Sequence, residues 1–383
     1  LQSTDGNIYG TTSIPNPVGF GPSILQLGTL FKVTPDGAVT PLDIFWGTGT
    51  NGTGGQPLGA LIETSDGTLL GTTYSGGVTD HLQNLYGYGT VFQYRKNGAF
   101  SGFLSFPLSQ ASGFGPRGGL TRASDGNYYG TTSDTRPTGT GTQGVSLGVT
   151  RGTIFRVSSD GNFARVFTFY GTNGSIPSGT LLQGFDGFLY GTTSSGGAFS
   201  NGTIFKISTS GAFTSVFGFG GTNGANPTGD LIQLNDGNFY GTTTAGGSNN
   251  LGTIFRITTN GVLTPIFSFK GSTGASPLGG LCLARDGNLY GTTSTGGPAG
   301  GGTIFRLVQS PAATSITQSN DLVTLNWASF TGAVYRVEYR TNLALGTWLT
   351  LAPAVPSAGN TTAFTDSISS DPQRFYRVVL LPP

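Results

Sequence analysis

The sequence predicts an all-β fold, and three observations carry that prediction. Of 383 residues, 67 are Gly and 20 are Pro, the two types that most disfavour helix, so long helices are excluded. Apolar residues alternate with small or polar ones in short runs, as in Phe267-Ser268-Phe269, at the period of two that a strand requires. Blocks of sequence recur six times at a spacing that settles to 50 residues. A supply of 27 Phe, 14 Tyr and 3 Trp is enough for a large core, which separates this chain from disordered Gly-rich sequences.

The block DGxxYGTT recurs with its aspartate at Asp5, Asp66, Asp125, Asp186, Asp236 and Asp286. A second block, GT(I/L/V)F, recurs with its ring at Phe31, Phe92, Phe155, Phe205, Phe255 and Phe305. Five prolines, Pro57, Pro116, Pro177, Pro227 and Pro277, each stand nine residues before the next of these aspartates. Within a unit, Gly279 to Arg285 reads as a first strand closed by the turn dipeptide Asp286-Gly287. Leu289 to Thr293 reads as a second strand and Thr303 to Leu307 as a third. The fourth is clearest one unit earlier, at Thr264 to Phe269, with the same Phe-x-Phe at Phe167/Phe169 and Phe217/Phe219. Six four-stranded units of about 50 residues specify a six-bladed β-propeller over residues 1–310. A β-solenoid is the alternative, but its coils are shorter and less often joined by hairpins.

Six second strands and six third strands are matched by only five Phe-rich fourth strands, so one blade is a strand short. A segment upstream of Leu1 would complete it in cis, or another chain in trans, since an open sheet edge is a template for pairing.

Residues 311–383 lack the repeat and alternate as strands at Leu322 to Trp327, Val334 to Arg340, Trp348 to Leu351, Ala363 to Ile368 and Arg374 to Leu380. This is a small β-sandwich that resembles a fibronectin type III or immunoglobulin-like module, with Trp327, Tyr335, Tyr339, Trp348 and Tyr376 as candidate core. The GTIFK/R, DGxLYGTT and FxGxxGxxP blocks, in fixed order over residues 1 to 307, resemble the GloVer-type tandem repeat of bacterial secreted proteins with variable C-terminal anchors. That resemblance implies a propeller build and an extracellular or cell-surface location, and it brings no catalytic residues.

Composition narrows the function. A net charge of +1 without basic runs gives no footprint for nucleic acid or an anionic membrane, and no stretch approaches a membrane span. Export would require a signal upstream of residue 1. The single cysteine, Cys282, makes no intrachain disulfide and is expected as a buried small hydrophobe. Aspartates before Gly cap their own turns, which is the structural reading of the six Asp-Gly pairs. Calcium is the one cofactor they could suggest, and no metal or other cofactor is expected. Two GxGxxG matches, at Gly47 and Gly139, are what this glycine content yields by chance, and neither opens a helix. The lone histidine, His81, completes no metal site or triad. Carboxylates outside the turn set, Asp43, Glu63, Asp80, Asp134 and Asp230, show no pairing in sequence, so a carbohydrate-active enzyme is a third reading rather than the first.

Two sets of residues carry the binding expectation. After each GTxF ring stand Lys32, Gln93, Arg156, Lys206, Arg256 and Arg306, whose five cations would form a basic ring suited to an acidic glycan or would snorkel at blade edges. Insertions between second and third strands lengthen only in the first three units, and hold Phe20, Tyr74, His81, Tyr86, Tyr88, Arg136 and Arg151. Aromatic and Arg side chains on loops of one face suit recognition of a glycan or a surface protein. The expectation is a non-enzymatic extracellular binding or adhesion module. The alternative is a structural subunit that assembles with copies of itself into a filament or surface layer by strand donation.

Overall fold

In the computed structural model, the structure describes residues 1–13, 27–46, 54–77, 87–106, 113–133, 151–284, 287–308, 313–329, 332–342, 347–368 and 373–381. Among these there is no α-helix, and the repeat forms six consecutive antiparallel sheets. The fifth is representative: Ile232–Gln233, Phe239–Thr243, Thr253–Ile257 and Leu263–Ser268 pair in chain order. Expected first strands shrink to two paired residues, because the junction that precedes each runs across its neighbours instead of along its own sheet.

The repeated blocks lock each sheet internally. Gly241 of YGTT lies opposite Phe255 of GTIF, and a β-carbon on it would stand 2.6 Å from the ring's Cζ. The same Gly-under-Phe contact recurs in all six sheets, from Gly10/Phe31 to Gly291/Phe305, which is why the block admits no side chain there. The second Thr of GTT bonds the Thr of GTIF, with Thr243 Oγ1 and Thr253 Oγ1 2.8 Å apart and Thr253 N donating to Thr243 Oγ1 at 3.1 Å. Gly252 takes φ +98°, and a β-carbon there would lie 2.8 Å from Pro277 Cδ, so each junction proline caps the preceding GTxF glycine. Asp236 accepts from Asn238 N at 3.0 Å, closing the hairpin turn as expected, and also accepts from the Tyr240 hydroxyl at 2.8 Å. That bond recurs for Tyr9, Tyr129 and Tyr190. Burial, reinforced by the aspartate, pushes the Tyr9 and Tyr129 hydroxyls up to about 12.

Adjacent sheets pack face to face. In the fifth, Phe239, Phe255 and Ile257 face the fourth sheet, whereas Tyr240 and Ile254 face the sixth. Five such apolar packets join the six sheets in succession. Polar clasps reinforce them: Glu63 of the second sheet accepts from Ser3 Oγ, Thr4 N and Lys96 Nζ at 3.1, 2.9 and 2.5 Å. Gln183 and Gln233 hold the turns of the third and fourth sheets in the same way.

The series is uncovered at both ends. The third-strand residue that faces the next sheet is buried at Leu30, Val91, Ile154, Ile204 and Ile254, but Ile304 is 81% exposed. The second-strand residue that faces the previous sheet is buried at Leu69, Tyr128, Leu189, Phe239 and Leu289, but Ile8 is 49% exposed. The sixth sheet has three strands, in line with the missing fourth, and the first has three plus a single bridge, Gln2 to Ile8. Cys282 corrects an expectation: it is exposed, because it pairs with Tyr290 on the uncovered face of the sixth sheet. The fold is thus all-β and propeller-like, with six sheets in sequence.

Beyond it, Ala313–Ser319, Leu322–Ala328 and Thr361–Ser367 form one sheet, and Leu349–Pro356, Val334–Arg340 and Phe375–Leu380 another. Trp327 and Tyr335, ring centroids 5.6 Å apart, lie fully buried between them. Tyr376 is half-buried and bonds Asp366, which also pairs with Arg374 at 2.7 Å, while Tyr339 and Trp348 lie at the rim under Arg374 and Arg340. Asn235 Nδ2 donates to Ser329 O at 2.9 Å, tying this sandwich to the fifth sheet's turn.

Candidate functional site

The four or five residues after each junction proline follow one pattern, Pro-x-Gly-x-Leu, and they converge at the inner edge of the sheets. A β-carbon on Gly59 would lie 2.5 Å from Gly118 C, one on Gly118 2.5 Å from Gly179 O, and one on Gly229 2.6 Å from Gly279 C. Successive junctions therefore touch backbone to backbone, which only Gly permits. Hydrogen bonds stitch them together. Gly119 N donates to Thr180 Oγ1 at 3.0 Å, Thr228 Oγ1 to Leu278 O at 3.0 Å, and Thr72 and Thr242 hydroxyls to the carbonyls of Gly118 and Gly279 at 2.8 and 2.9 Å. Gly279 alone of these glycines has nothing within 4 Å, because the uncovered side of the sixth sheet begins there.

The convergence frames an open polar mouth of about 200 Å³ whose lining includes Leu58, Arg117, Ser178, Thr228, Asp230 and Leu278. All six are x positions of the junction pattern, where the repeats differ from one another. Thr180 N donates to Asp230 Oδ1 at 2.6 Å. The crowding of neighbouring junctions desolvates this carboxyl and pushes it above the ordinary carboxylate range, opposed by the Thr180 bonds, although the residue as a whole reaches solvent. Arg117 is exposed and lies over the Tyr74 ring, 5.2 Å from its centroid, with no hydrogen bond or ion pair among the described residues. Tyr74 is held in turn by Gln56 O, which accepts from its backbone N at 3.0 Å, and by close contact with Gly115.

This mouth opens on the face that carries the long insertions, since each junction leaves the outer strand at the end where the third strand begins. Of the loop residues singled out in sequence, Tyr74 reaches the mouth through Arg117. Tyr88 packs 4.9 Å from Phe114 and joins the core between the second and third sheets. Arg151 lies against Gly171 at the outer end of the third sheet. Phe20, His81, Tyr86 and Arg136 lie outside the described residues. The basic set is spread out: Lys32, Arg156, Lys206, Arg256 and Arg306 each occupy the third strand of their own sheet, about two strand spacings, roughly 10 Å, from the innermost one. Lys206 stacks 4.8 Å from the Phe188 centroid, and Arg156 faces the Asp125–Tyr129 pair. Asp80 and Asp134 also lie outside the described residues, Asp43 accepts from Ile44 N, and Glu63 is held down to about 2, chiefly by Lys96. Among the described residues the mouth holds one carboxylate, and no three His, Cys, Asp or Glu side chains gather as for a metal.

Leu58, Arg117, Ser178, Thr228 and Leu278 are the site residues that sequence reasoning missed. Their signal was available: they break the repeat at a position five copies share.

Residues 137–335, just over half of the chain, match the Gloeobacter/Verrucomicrobia repeat. No curated protein matches the chain. Among solved structures it is similar to a Bacteroides fragilis protein described as a 6-phosphogluconolactonase, at 15% identity and TM-score 0.45, covering 94% of this chain and 99% of that one. It is also similar to a Bacillus subtilis family 43 arabinoxylan arabinofuranohydrolase, at 14% identity and TM-score 0.37 with 100% and 91% coverage. A third is a Clostridium thermocellum α-L-arabinofuranosidase, at 12% identity and TM-score 0.36 with 69% and 91% coverage.

Proposed function

We propose, from the premise that the chain belongs to the Gloeobacter/Verrucomicrobia repeat family, that it is a non-enzymatic binding module working at or outside the cell surface, which recognises a glycan through its loop-bearing face. The observation that carries this reading is the division of labour between repeated and unrepeated residues. The recurring residues of DGxxYGTT and GTxF hold the scaffold, as Asp236, Tyr240, Gly241, Thr243, Thr253 and Phe255 do in the fifth sheet. The unrepeated ones, Leu58, Arg117, Ser178, Thr228, Asp230 and Leu278, line a polar concavity on the face with the long insertions. Hydroxyls, backbone groups, one cation and one carboxylate beside two leucines suit the mixed polar and apolar surface of a sugar. A general acid would need a second carboxylate across the substrate, and the described residues of the mouth contain one.

A panel of immobilised glycans tests the reading. Wild-type protein is expected to be retained on a subset, and Tyr74→Ala to lose retention while remaining folded with a modestly lowered unfolding midpoint. Retention unchanged by Tyr74→Ala, or product release from any glycan, would refute it.

A second reading, self-assembly into a filament or layer, is favoured by one observation: Ile304 and Ile8 are uncovered where five equivalent interfaces are sealed. Faces of that kind are what a second copy or a donated strand would cover. Sedimentation velocity decides it. Concentration-dependent polymers that Ile304→Glu abolishes would establish assembly, and a monomer at all concentrations would remove it.

A further inference from the structure

The geometry points to an acidic sugar as the ligand of the mouth: one hexuronate residue of a polysaccharide, its carboxylate on Arg117 and its ring hydroxyls on Asp230 and the Ser178 and Thr228 hydroxyls. The inference rests on the proposed glycan reading and narrows it to a substrate class.

Three features of the mouth select this ligand. First, Arg117 is a cation with no anion beside it among the described residues. Its guanidinium lies over the Tyr74 ring, 5.2 Å from the centroid, and makes no hydrogen bond or ion pair among the described residues. Contact with the ring holds the guanidinium at the mouth, and among the described residues nothing takes its N–H donors, which can receive a carboxylate in two parallel bonds. Second, Asp230 cannot serve as that anion's substitute. Its Oδ1 is taken by Thr180 N at 2.6 Å, and no ion pair joins it to Arg117 although both line the same mouth. Its remaining acceptor capacity suits sugar hydroxyls, which donate. Third, the concavity is small, about 200 Å³, and open to solvent, a size that suits one sugar residue seated in it with its neighbours outside. Leu58 and Leu278, both exposed, stand at opposite ends of the junction series and offer C–H surface to an apolar ring face.

The junctions themselves are rigid, touching backbone to backbone, so the polar groups are placed before the ligand arrives. The rest of such a polysaccharide would run outward over the insertion-bearing face.

Titration calorimetry with a galacturonate tetrasaccharide, its methyl ester and a neutral galactose tetrasaccharide tests the assignment on the full chain. The acid form is expected to bind at least tenfold more tightly than the ester. Arg117→Ala should erase that difference, and Arg117→Lys should restore part of it, since charge returns without the planar fork. Arg117 is exposed and, among the described residues, makes no hydrogen bond or ion pair that its replacement would break, so the variants should keep an unfolding midpoint close to the wild-type one. Equal binding of acid and ester, or a preference that survives Arg117→Ala, would overturn the assignment while leaving glycan recognition intact. Binding of none of the three, by a protein that a wider glycan panel also fails to retain, would overturn both.

Discussion

The same substitution made at two copies of one repeat position should cost very different amounts. Ile254 and Ile304 occupy the same place in GTIF, so helix or strand propensity and unfolded-state effects cancel between them. Ile254 is buried against the sixth sheet with Phe269 and Leu289, whereas Ile304 is 81% exposed on the uncovered face. Ile254→Ala should cost about 3 kcal/mol, the middle of the range for a large-to-small change in a sealed core. Ile304→Ala has about one fifth of the area to lose and should cost roughly 0.5 kcal/mol. Over a repeat region of about 300 residues, with an unfolding entropy near 2 cal/mol/K per residue, these become shifts of about 5 °C and about 1 °C. Far-UV circular dichroism melts of the two variants beside wild type measure both. Equal shifts would mean that something covers Ile304 in solution, and the open end of the series would have to be abandoned.

Other outcomes follow from the same contacts. Gly241→Ala should lower the melting temperature by about 2–5 °C, because the added methyl meets the Phe255 ring at 2.6 Å and a strained core costs ~1–3 kcal/mol; an unchanged melt would show that the ring moves aside freely. Tyr240→Phe should cost about 1 kcal/mol by removing the bond to Asp236, measured by urea unfolding, and no loss would mean the hydroxyl is equally well hydrated unfolded. Glu63 is held down to about 2 from 4.5, chiefly by Lys96, so its contribution is full above the ordinary value and lost as pH falls from about 4.5 to about 2. Partial solvation limits that contribution to roughly 1–2 kcal/mol, and Glu63→Gln should flatten the acid limb of the stability profile; a superimposable limb would refute the clasp between the first and second sheets.

Most of the scaffold was legible in the sequence because each repeated residue has a local job that repetition exposes. The Gly of YGTT, the paired threonines and the Asp-Gly turn act within one sheet, so spacing alone placed them on the second and third strands. The short strand at Cys282–Leu283 was overextended because the junction before it has apolar alternation yet pairs with neighbouring junctions rather than with its own sheet. Cys282 was misjudged because burial at that position depends on a following sheet, a tertiary fact with no local signature. The candidate site was harder still. Tyr74 was found through its loop, but Arg117 and Asp230 lie 113 residues apart in sequence and meet only where five junctions converge. The cations after GTxF repeat regularly, and regularity is why they spread around the series, one per sheet, instead of gathering.

Hydrogen–deuterium exchange with and without a retained glycan tests the central claim most directly, because it reports where the ligand sits without presupposing a residue. Protection confined to the junctions at 57–60, 116–119, 177–180, 227–230 and 277–280, with Tyr74 beside them, is the predicted result. Protection on the C-terminal sandwich or along the uncovered face of the sixth sheet, with the junctions unchanged, would contradict it.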